Sequence, residues 1–142
     1  MLIFIFIFST LASLYEGSEI LNKPWDWKNT AIFSQLANGE VKNTSQVLFW
    51  DYFIYAAKFL PFYPICMLIS FFLIFFLLIL RIKNVSLKIS FLILFSFISI
   101  GIMFFLSNSP TPGLYLTSII LGIIGTFCIL TTFFICRRKK FV

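Results

Sequence analysis

The feature that most constrains this chain is a set of long stretches without a charged side chain. Residues 89–136 contain no Asp, Glu, Lys, Arg or His, and residues 2–15 and 59–80 are equally free of charge. Charged residues make up 11% of the 142, and hydrophobic residues make up 61%. A soluble domain carries about 25% charged residues, and a disordered chain requires low hydrophobicity and high net charge. We therefore expect an integral membrane protein.

The lengths of these stretches predict four transmembrane helices. A hydrocarbon core of about 30 Å needs about 20 helical residues at about 1.5 Å each. Residues 59–80 and 114–136 satisfy this length, and 89–106 lies at its short end. A proline- and glycine-containing break, SNSPTPG, separates the last two spans at 107–113. The first stretch reaches the required length if its helix continues to about Ser18, and otherwise it would have to lie in a thinned bilayer.

The N-terminal stretch is open to two interpretations, a cleaved signal peptide or a retained first helix. A signal peptide has basic residues before its apolar core and a small-x-small cleavage site. No basic residue precedes this core, and a weak cleavage site lies near Ala12. We favour a retained helix over residues 1–18.

Basic residues set the expected orientation. Arg81, Lys83 and Lys88 lie in the loop between the second and third spans, and the tail at 137–142 is also basic. We expect the protein to lie in the plasma membrane. Because Lys- and Arg-rich loops face the cytoplasm, we expect both of its termini on the cytoplasmic side. Residues 19–58 are then outside. The net charge of +6 does not indicate nucleic-acid binding, because the basic residues flank apolar spans.

The predicted outer side carries the side chains suited to recognition. All three Trp, all five Tyr and all five acidic residues fall on it, and Trp and Tyr prefer the membrane–water interface. The candidate partner or ligand surface consists of Glu16, Glu19, Trp25, Asp26, Trp27, Asp51 and Lys58. Lys58 or Lys23 is the expected partner of Glu16. The alternative is an ordinary aromatic belt with a solvated loop.

Two short helices are predicted in the outer segment. The first covers Thr30–Asn38, between a capping Asn29 and Gly39. The second runs from about Gln46 to Leu60. Its apolar face consists of Trp50, Phe53, Ile54 and Ala57, and another face consists of Asp51, Tyr55 and Lys58. An amphipathic helix of this kind is expected to lie near the headgroups.

The predicted fold class is thus an all-α integral membrane protein with four transmembrane helices and a short extracytoplasmic helical cap between the first and second. Small residues recur every fourth position in two spans, which lets helix backbones approach closely in lipid. The predicted helix-packing residues are Ser9, Ser13 and Gly17 in the first span, and Ser118, Gly122 and Thr126 in the last. Packing within one chain and packing between copies both fit this pattern.

Residues that usually carry chemistry are scarce. The chain has no His, no charged residue at the centre of its last three spans, and three cysteines without a CxxC pair. Proton relays and ion-coupled transport usually need intramembrane ionisable groups. No GxSxG, HExxH or Walker sequence is present. We expect no enzyme activity, no catalytic residue, no metal and no cofactor.

Three stretches carry a resemblance to a known family: YEGSE at 15–19, PWDWK at 24–28 and DYFIYAAKFLPFYP at 51–64. Together they resemble a family of small multi-pass membrane proteins of bacilli that has no assigned function. The resemblance covers the first half of the chain. It implies a bacterial plasma-membrane protein and supplies no catalytic residues.

These observations favour a non-enzymatic interaction or accessory protein of the cell envelope. Its expected partners are the lipid bilayer and either another membrane protein or further copies of the same chain, with no nucleic acid. The alternative is a subunit of a small oligomeric transporter or exporter, because pockets can form between the helices of a bundle.

Overall fold

A computed structural model describes residues 1–139, in which helices are the regular secondary structure and no strand occurs. The four long helices are α1 (Leu2–Gly17), α5 (Phe62–Arg81), α6 (Val85–Ser107) and α7 (Pro112–Lys139). Three shorter ones lie between α1 and α5: α2 (Trp27–Thr30), α3 (Ile32–Asn38) and α4 (Phe49–Phe59). Single 3₁₀ turns occupy Ser18–Asn22, Pro24–Asp26 and Thr44–Gln46.

Four helical segments are long and apolar enough to cross a membrane: Leu2–Asn22, Phe62–Arg81, Val85–Ser107 and Pro112–Arg137. The predicted all-α class with four such helices is confirmed. The 3₁₀ turn at Ser18–Asn22 follows α1 directly and extends the first helical segment to a length that can cross a membrane. Of the predicted tail at 137–142, the first three residues continue α7, and the rest lies outside the described residues.

Several Ser and Thr hydroxyl groups in the long helices donate hydrogen bonds to backbone carbonyls of their own helix. Ser9 Oγ donates to the Ile5 carbonyl at 2.7 Å, and Ser13 Oγ donates to the Ser9 carbonyl at 2.7 Å. Thr132 Oγ1 donates to the Cys128 carbonyl at 2.8 Å. An unpaired polar group in hydrocarbon costs several kcal/mol, so these local bonds make Ser and Thr acceptable in apolar spans.

The described residues form two compact units, and the first comprises 1–70 with 111–113. In it, α1 packs against α4. The buried residues of α1 are Ser9, Ser13 and Gly17. A Cβ at position 17 would overlap the backbone carbonyl of Tyr52, so only glycine permits this approach. The stripe of small residues on α1 thus contributes to packing within one chain.

The second unit comprises 71–110 and the residues from 114 onward. Phenylalanine rings join its helices: Phe72 of α5 stacks on Phe95 of α6 at 5.8 Å between centroids, and Phe76 of α5 meets Phe127 of α7 at 5.3 Å. Ser96 Oγ of α6 donates to the Gly125 carbonyl of α7 at 3.2 Å. These ring contacts, in which Phe72 is buried and Phe127 is exposed, and the Ser96–Gly125 hydrogen bond join α5, α6 and α7.

The contact of α7 with α6 involves Gly122 of the predicted stripe and Gly125, which lies outside the stripe. Ser118 is buried, and a Cβ at Gly122 would lie 3.0 Å from the Met103 sulfur. Thr126 is exposed, and its hydroxyl bonds to its own helix. Gly125, which the spacing missed, is the closer contact, because a Cβ there would lie 2.7 Å from Ile100 Cγ1.

We predict that Gly17→Ala lowers the thermal stability of the detergent-solubilised protein. Overpacking costs about 1–3 kcal/mol, and here the obstacle is the rigid backbone of Tyr52. The matched control is Gly101→Ala, because a Cβ at position 101 meets no atom within 4 Å. Equal melting temperatures for the two variants would contradict the close α1–α4 contact.

Candidate functional site

The segment between α1 and α5, residues 18–59, has a small core of its own. Ile20, Trp27, Ala31, Val47 and Tyr55 form this buried cluster. The Trp27 indole N–H donates to the Ile20 carbonyl at 2.8 Å, which satisfies the polar group that a buried tryptophan carries. The 18–59 segment is therefore a packed structure and not a free linker.

A buried carboxylate joins α3 to α4. Asp51, in the first turn of α4, is completely buried. It accepts hydrogen bonds from the backbone N–H groups of Phe33 at 2.8 Å and Ser34 at 2.9 Å, and from the Ser34 hydroxyl. The residue at the N-cap position of α3 is Ala31, which has no side-chain acceptor. Asp51 supplies the missing cap from another helix, where the helix dipole also favours a negative charge.

Ser34 of α3 in turn caps the start of α4. Its hydroxyl oxygen accepts a hydrogen bond at 2.7 Å from the backbone N–H of Leu48, the residue that precedes α4. The start of each helix is thus held by a side chain of the other. Ser34 and Asp51 are both buried, so these bonds are shielded from competing water.

Lys23 is the centre of a second polar group. Its ammonium donates to the Tyr55 hydroxyl at 2.6 Å and lies 3.5 Å from a Glu19 carboxylate oxygen. The hydrogen bond to Tyr55 raises the pKa of Lys23 above its ordinary value, and Glu19 adds to the rise, while desolvation opposes it. The lysine stays charged and ties the 3₁₀ turn after α1 to α4.

Lys58 lies at the other end of α4, where it donates to the backbone carbonyl of Asn29. Burial lowers the pKa of Lys58, and the negative charge of Asp26 opposes that shift. Asp26 and Lys58, both named from the sequence as surface candidates, are thus brought near each other. Both are half-buried.

Glu16 does not have either of its expected partners. Lys23 is engaged by Tyr55 and Glu19, and Lys58 by Asn29. Among the residues that the structure describes, the Oε2 atom of Glu16 is buried without a hydrogen-bond partner. The side chain as a whole is half-buried. The expected ion pair is therefore a wrong prediction, because both lysines find acceptors within the 18–59 segment.

Large apolar side chains are exposed where α3 and α4 begin. We call them the aromatic patch: Ile32, Phe33, Leu36, Phe49 and Trp50. Leu36 is 79% exposed and Trp50 53%, and the rings of Phe49 and Trp50 lie 4.3 Å apart. The bonds of Asp51 and Ser34 hold the two helix starts together, so the patch has a fixed backbone beneath it.

A cavity of about 590 Å³ opens beside α2 and α3. Its lining mixes polar and apolar groups, and consists of Pro24, Trp27, Lys28, Gln35, Gly39, Glu40 and Val41. Gly39 has φ +75°, a conformation that favours glycine. The side-chain amide of Gln35 in the cavity wall donates a hydrogen bond to the Trp27 carbonyl at 2.6 Å.

The residues that shape this segment lie inside a region shared with other proteins. Residues 1–83 match the family model described as a domain of unknown function, DUF4306. The chain belongs to this family. The predicted kinship with a family without an assigned function is confirmed.

A similar protein is the "Uncharacterized protein YjdJ" of Bacillus subtilis (strain 168), which is 39% identical over 71 residues. The match covers 49% of this chain and 65% of that protein, so the chain spans slightly less than two thirds of its relative. No solved structure matches the chain. The DUF4306 region contains the whole 18–59 segment and ends two residues after α5.

The seven surface candidates, all within the DUF4306 region, have different environments. Glu19 and Trp25 are exposed, Trp25 by 72%. Trp27 and Asp51 are buried, so neither lies on a surface that a partner can reach. Trp27 fills the core of the segment, and Asp51 is used as a helix cap. Among residues 1–139, no group of three or more Cys, Asp or Glu is arranged to hold a metal ion.

Sequence reasoning missed Ser34, and it did not separate the buried residues of α4 from the exposed ones. Asp51, named as part of a partner surface, is buried together with Tyr55 inside the 18–59 segment, whereas Trp50, placed on the apolar face, is exposed. Asp51 and Tyr55 are four residues apart, which places them on one side of a helix. That spacing predicts a shared face, but it does not predict the partners that bury the face.

We predict that Asp51→Ala destabilises the DUF4306 region. The change leaves two backbone N–H groups and a hydroxyl unpaired, and a single buried unsatisfied donor costs about 1–3 kcal/mol. Thermal unfolding followed by Trp fluorescence, together with trypsin cleavage at Lys28 and Lys42, measures the effect. Glu40→Ala is the control, because its ion pair with Lys42 is exposed and such pairs contribute about 0–1 kcal/mol. Equal loss in both variants would contradict the capping role.

Proposed function

We propose that this chain is a non-enzymatic interaction protein of the bacterial plasma membrane. In this proposal, the 18–59 segment faces away from the cytoplasm and binds another membrane protein, or a second copy, through the aromatic patch. The single observation that carries the proposal is the exposure of five large apolar side chains on a segment whose buried polar groups bond to one another.

The chemistry of the patch supports a protein partner. Exposed apolar patches mark interaction sites in proteins, and Trp is among the residues that contribute most to binding energy at interfaces. Trp50 and Phe49 supply such anchors, and Leu36 adds an aliphatic neighbour. Since Asp51 and Ser34 already fix the backbone beneath them, a partner would not have to order this surface, which favours affinity.

The distribution of charge supports the orientation. Arg81, Lys83 and Lys88 lie near the α5–α6 junction, and Arg137 lies near the end of α7. All five acidic residues precede α5. Basic loops are retained in the cytoplasm during insertion, which would leave the 18–59 segment on the other side. No observation on residues 1–139 favours the alternative of a transporter.

The partner proposal is tested by photo-crosslinking in intact Bacillus cells. We expect p-benzoylphenylalanine at position 36 to give one discrete protein adduct, and the same group at position 25, which is exposed but outside the patch, to give none. Trp50→Ala should reduce the adduct, because loss of an anchor costs about 2 kcal/mol or more. An adduct of twice the chain's mass would identify a second copy as the partner.

Two results would overturn the partner proposal. One is crosslinking to lipid alone from position 36, which would make the patch part of an aromatic belt. The other is an adduct of equal yield from positions 25 and 36, which would show contact without selectivity for the patch.

The orientation is tested by cysteine labelling in a cysteine-free background. We expect Lys42→Cys to react with a membrane-impermeant maleimide in intact protoplasts, and Lys83→Cys to react only after permeabilisation. Labelling of both positions in intact protoplasts, or the reverse pattern, would contradict the positive-inside assignment.

A further inference from the structure

The cavity beside α2 and α3 and the aromatic patch are neighbouring surfaces of one short helix. Gln35 of α3 lines the cavity, whereas Ile32 and Leu36 of α3 belong to the patch. At about 100° of rotation per residue, Gln35 lies about 60° from Ile32 around the axis of α3. Ser34, which is buried, lies on the far side of the helix. A partner segment that extends from the patch across α3 therefore reaches the cavity.

The cavity wall carries polar groups that donate hydrogen bonds. Lys28 is exposed, and among residues 1–139 its ammonium has no ion-pair partner. The amide of Gln35 is held by its bond to the Trp27 carbonyl, and an amide nitrogen carries a second N–H. The Glu40 carboxylate, also in the wall, lies 3.7 Å from the Lys42 ammonium. An unopposed cation beside an amide donor fits a carboxylate, the anionic acceptor that protein side chains supply.

The rest of the wall is apolar. Pro24, Trp27 and Val41 supply it, and Trp27 belongs to the buried core of the 18–59 segment, so this side of the cavity has a fixed position. A volume of about 590 Å³ exceeds what one carboxylate needs. The cavity therefore has room for an acidic side chain together with an apolar neighbour from the same partner segment.

A second copy of the chain does not bring a free carboxylate to this place. Of the five acidic residues, all of which the structure describes, Glu19 and Glu40 are the exposed ones. Glu19 lies 3.5 Å from Lys23, and Glu40 lies 3.7 Å from Lys42. Asp51 is buried as a helix cap. Binding of a second copy here would have to break an existing ion pair, whereas a different protein can supply an unpaired acidic side chain.

We propose that the protein that covers the aromatic patch is different from this chain, and that its contacting segment carries an Asp or Glu beside an apolar residue. Lys28 and Gln35 bind that carboxylate in the cavity. The inference rests on the proposed function, because it names the chemistry of the partner at the same surface. An apolar patch by itself accepts many apolar segments, and a charge placed at its edge restricts the choice to segments with the complementary charge.

Photo-crosslinking in intact Bacillus cells tests whether the partner reaches the cavity. The group p-benzoylphenylalanine is placed at position 40, which is exposed and lines the cavity, and at position 36 of the patch. We expect adducts of the same protein from both positions. Peptide mass spectrometry of the adduct from position 40 should find an Asp or Glu within about four residues of the crosslinked site, or one helical turn.

Variants of Lys28 test the carboxylate, with the adduct from position 36 as the readout and immunoblotting as the check on protein amounts. Lys28→Gln should lower the adduct yield about fivefold, and Lys28→Arg should retain it. Lys83→Gln is the matched control, because it removes the same charge from an exposed lysine outside the 18–59 segment. In a charge swap, Lys28→Glu should abolish the adduct, and a lysine in place of the partner's identified acid should restore it.

The carboxylate contact and the proposed function fail in different ways. Absence of any protein adduct from position 36 without a Lys28 substitution overturns both. A position-36 adduct of undiminished yield in Lys28→Gln, or one without a matching adduct from position 40, overturns the carboxylate contact alone. So does a loss of yield that the charge swap does not restore. Adducts of twice the chain's mass from both positions also overturn it, since the partner is then a second copy, and they leave the proposed function standing.

Discussion

The cost of an unpaired polar group away from water governs both parts of this chain. In the four long apolar helices, each Ser or Thr for which a bond is described donates back to a nearby carbonyl, or across to one, as Ser96 does to Gly125. In the 18–59 segment, side chains of one short helix pair with the backbone N–H groups at the start of another and so avoid the same cost. Short helices of four to eleven residues are marginal alone, so these bonds and the Trp27 core make the segment possible.

The positions of the long helices could be predicted because their cause is local. Charge-free stretches of sufficient length, the Asn84 that caps α6 and the Pro112 that begins α7 are all visible in the sequence. Asn84 accepts from the backbone N–H of Ser86 at 3.0 Å, as an N-cap residue should. The kinship with a family without assigned function was likewise readable from short motifs in the first half.

The environment of the polar residues could not be predicted, because it depends on partners distant in sequence. Asp51 finds its donors 17 and 18 residues away, and Lys58 finds its acceptor 29 residues away. A helical pattern shows which residues share a face, but not whether that face meets water or another helix. The apolar–polar pattern of α4 predicts a helix near the headgroups, but it does not reveal that α4 packs against α1 and buries Asp51 and Tyr55.

The helices α3 and α4 cap each other. The start of each helix is hydrogen-bonded to a side chain of the other helix, so unfolding of either helix removes the caps of both. Fraying of one helix by itself is thereby suppressed, and residues 31–51 should open as a single cooperative element. Substitutions at positions 34 and 51 are then coupled, and a chain that changes one of them is expected to tolerate it only with a compensating change at the other.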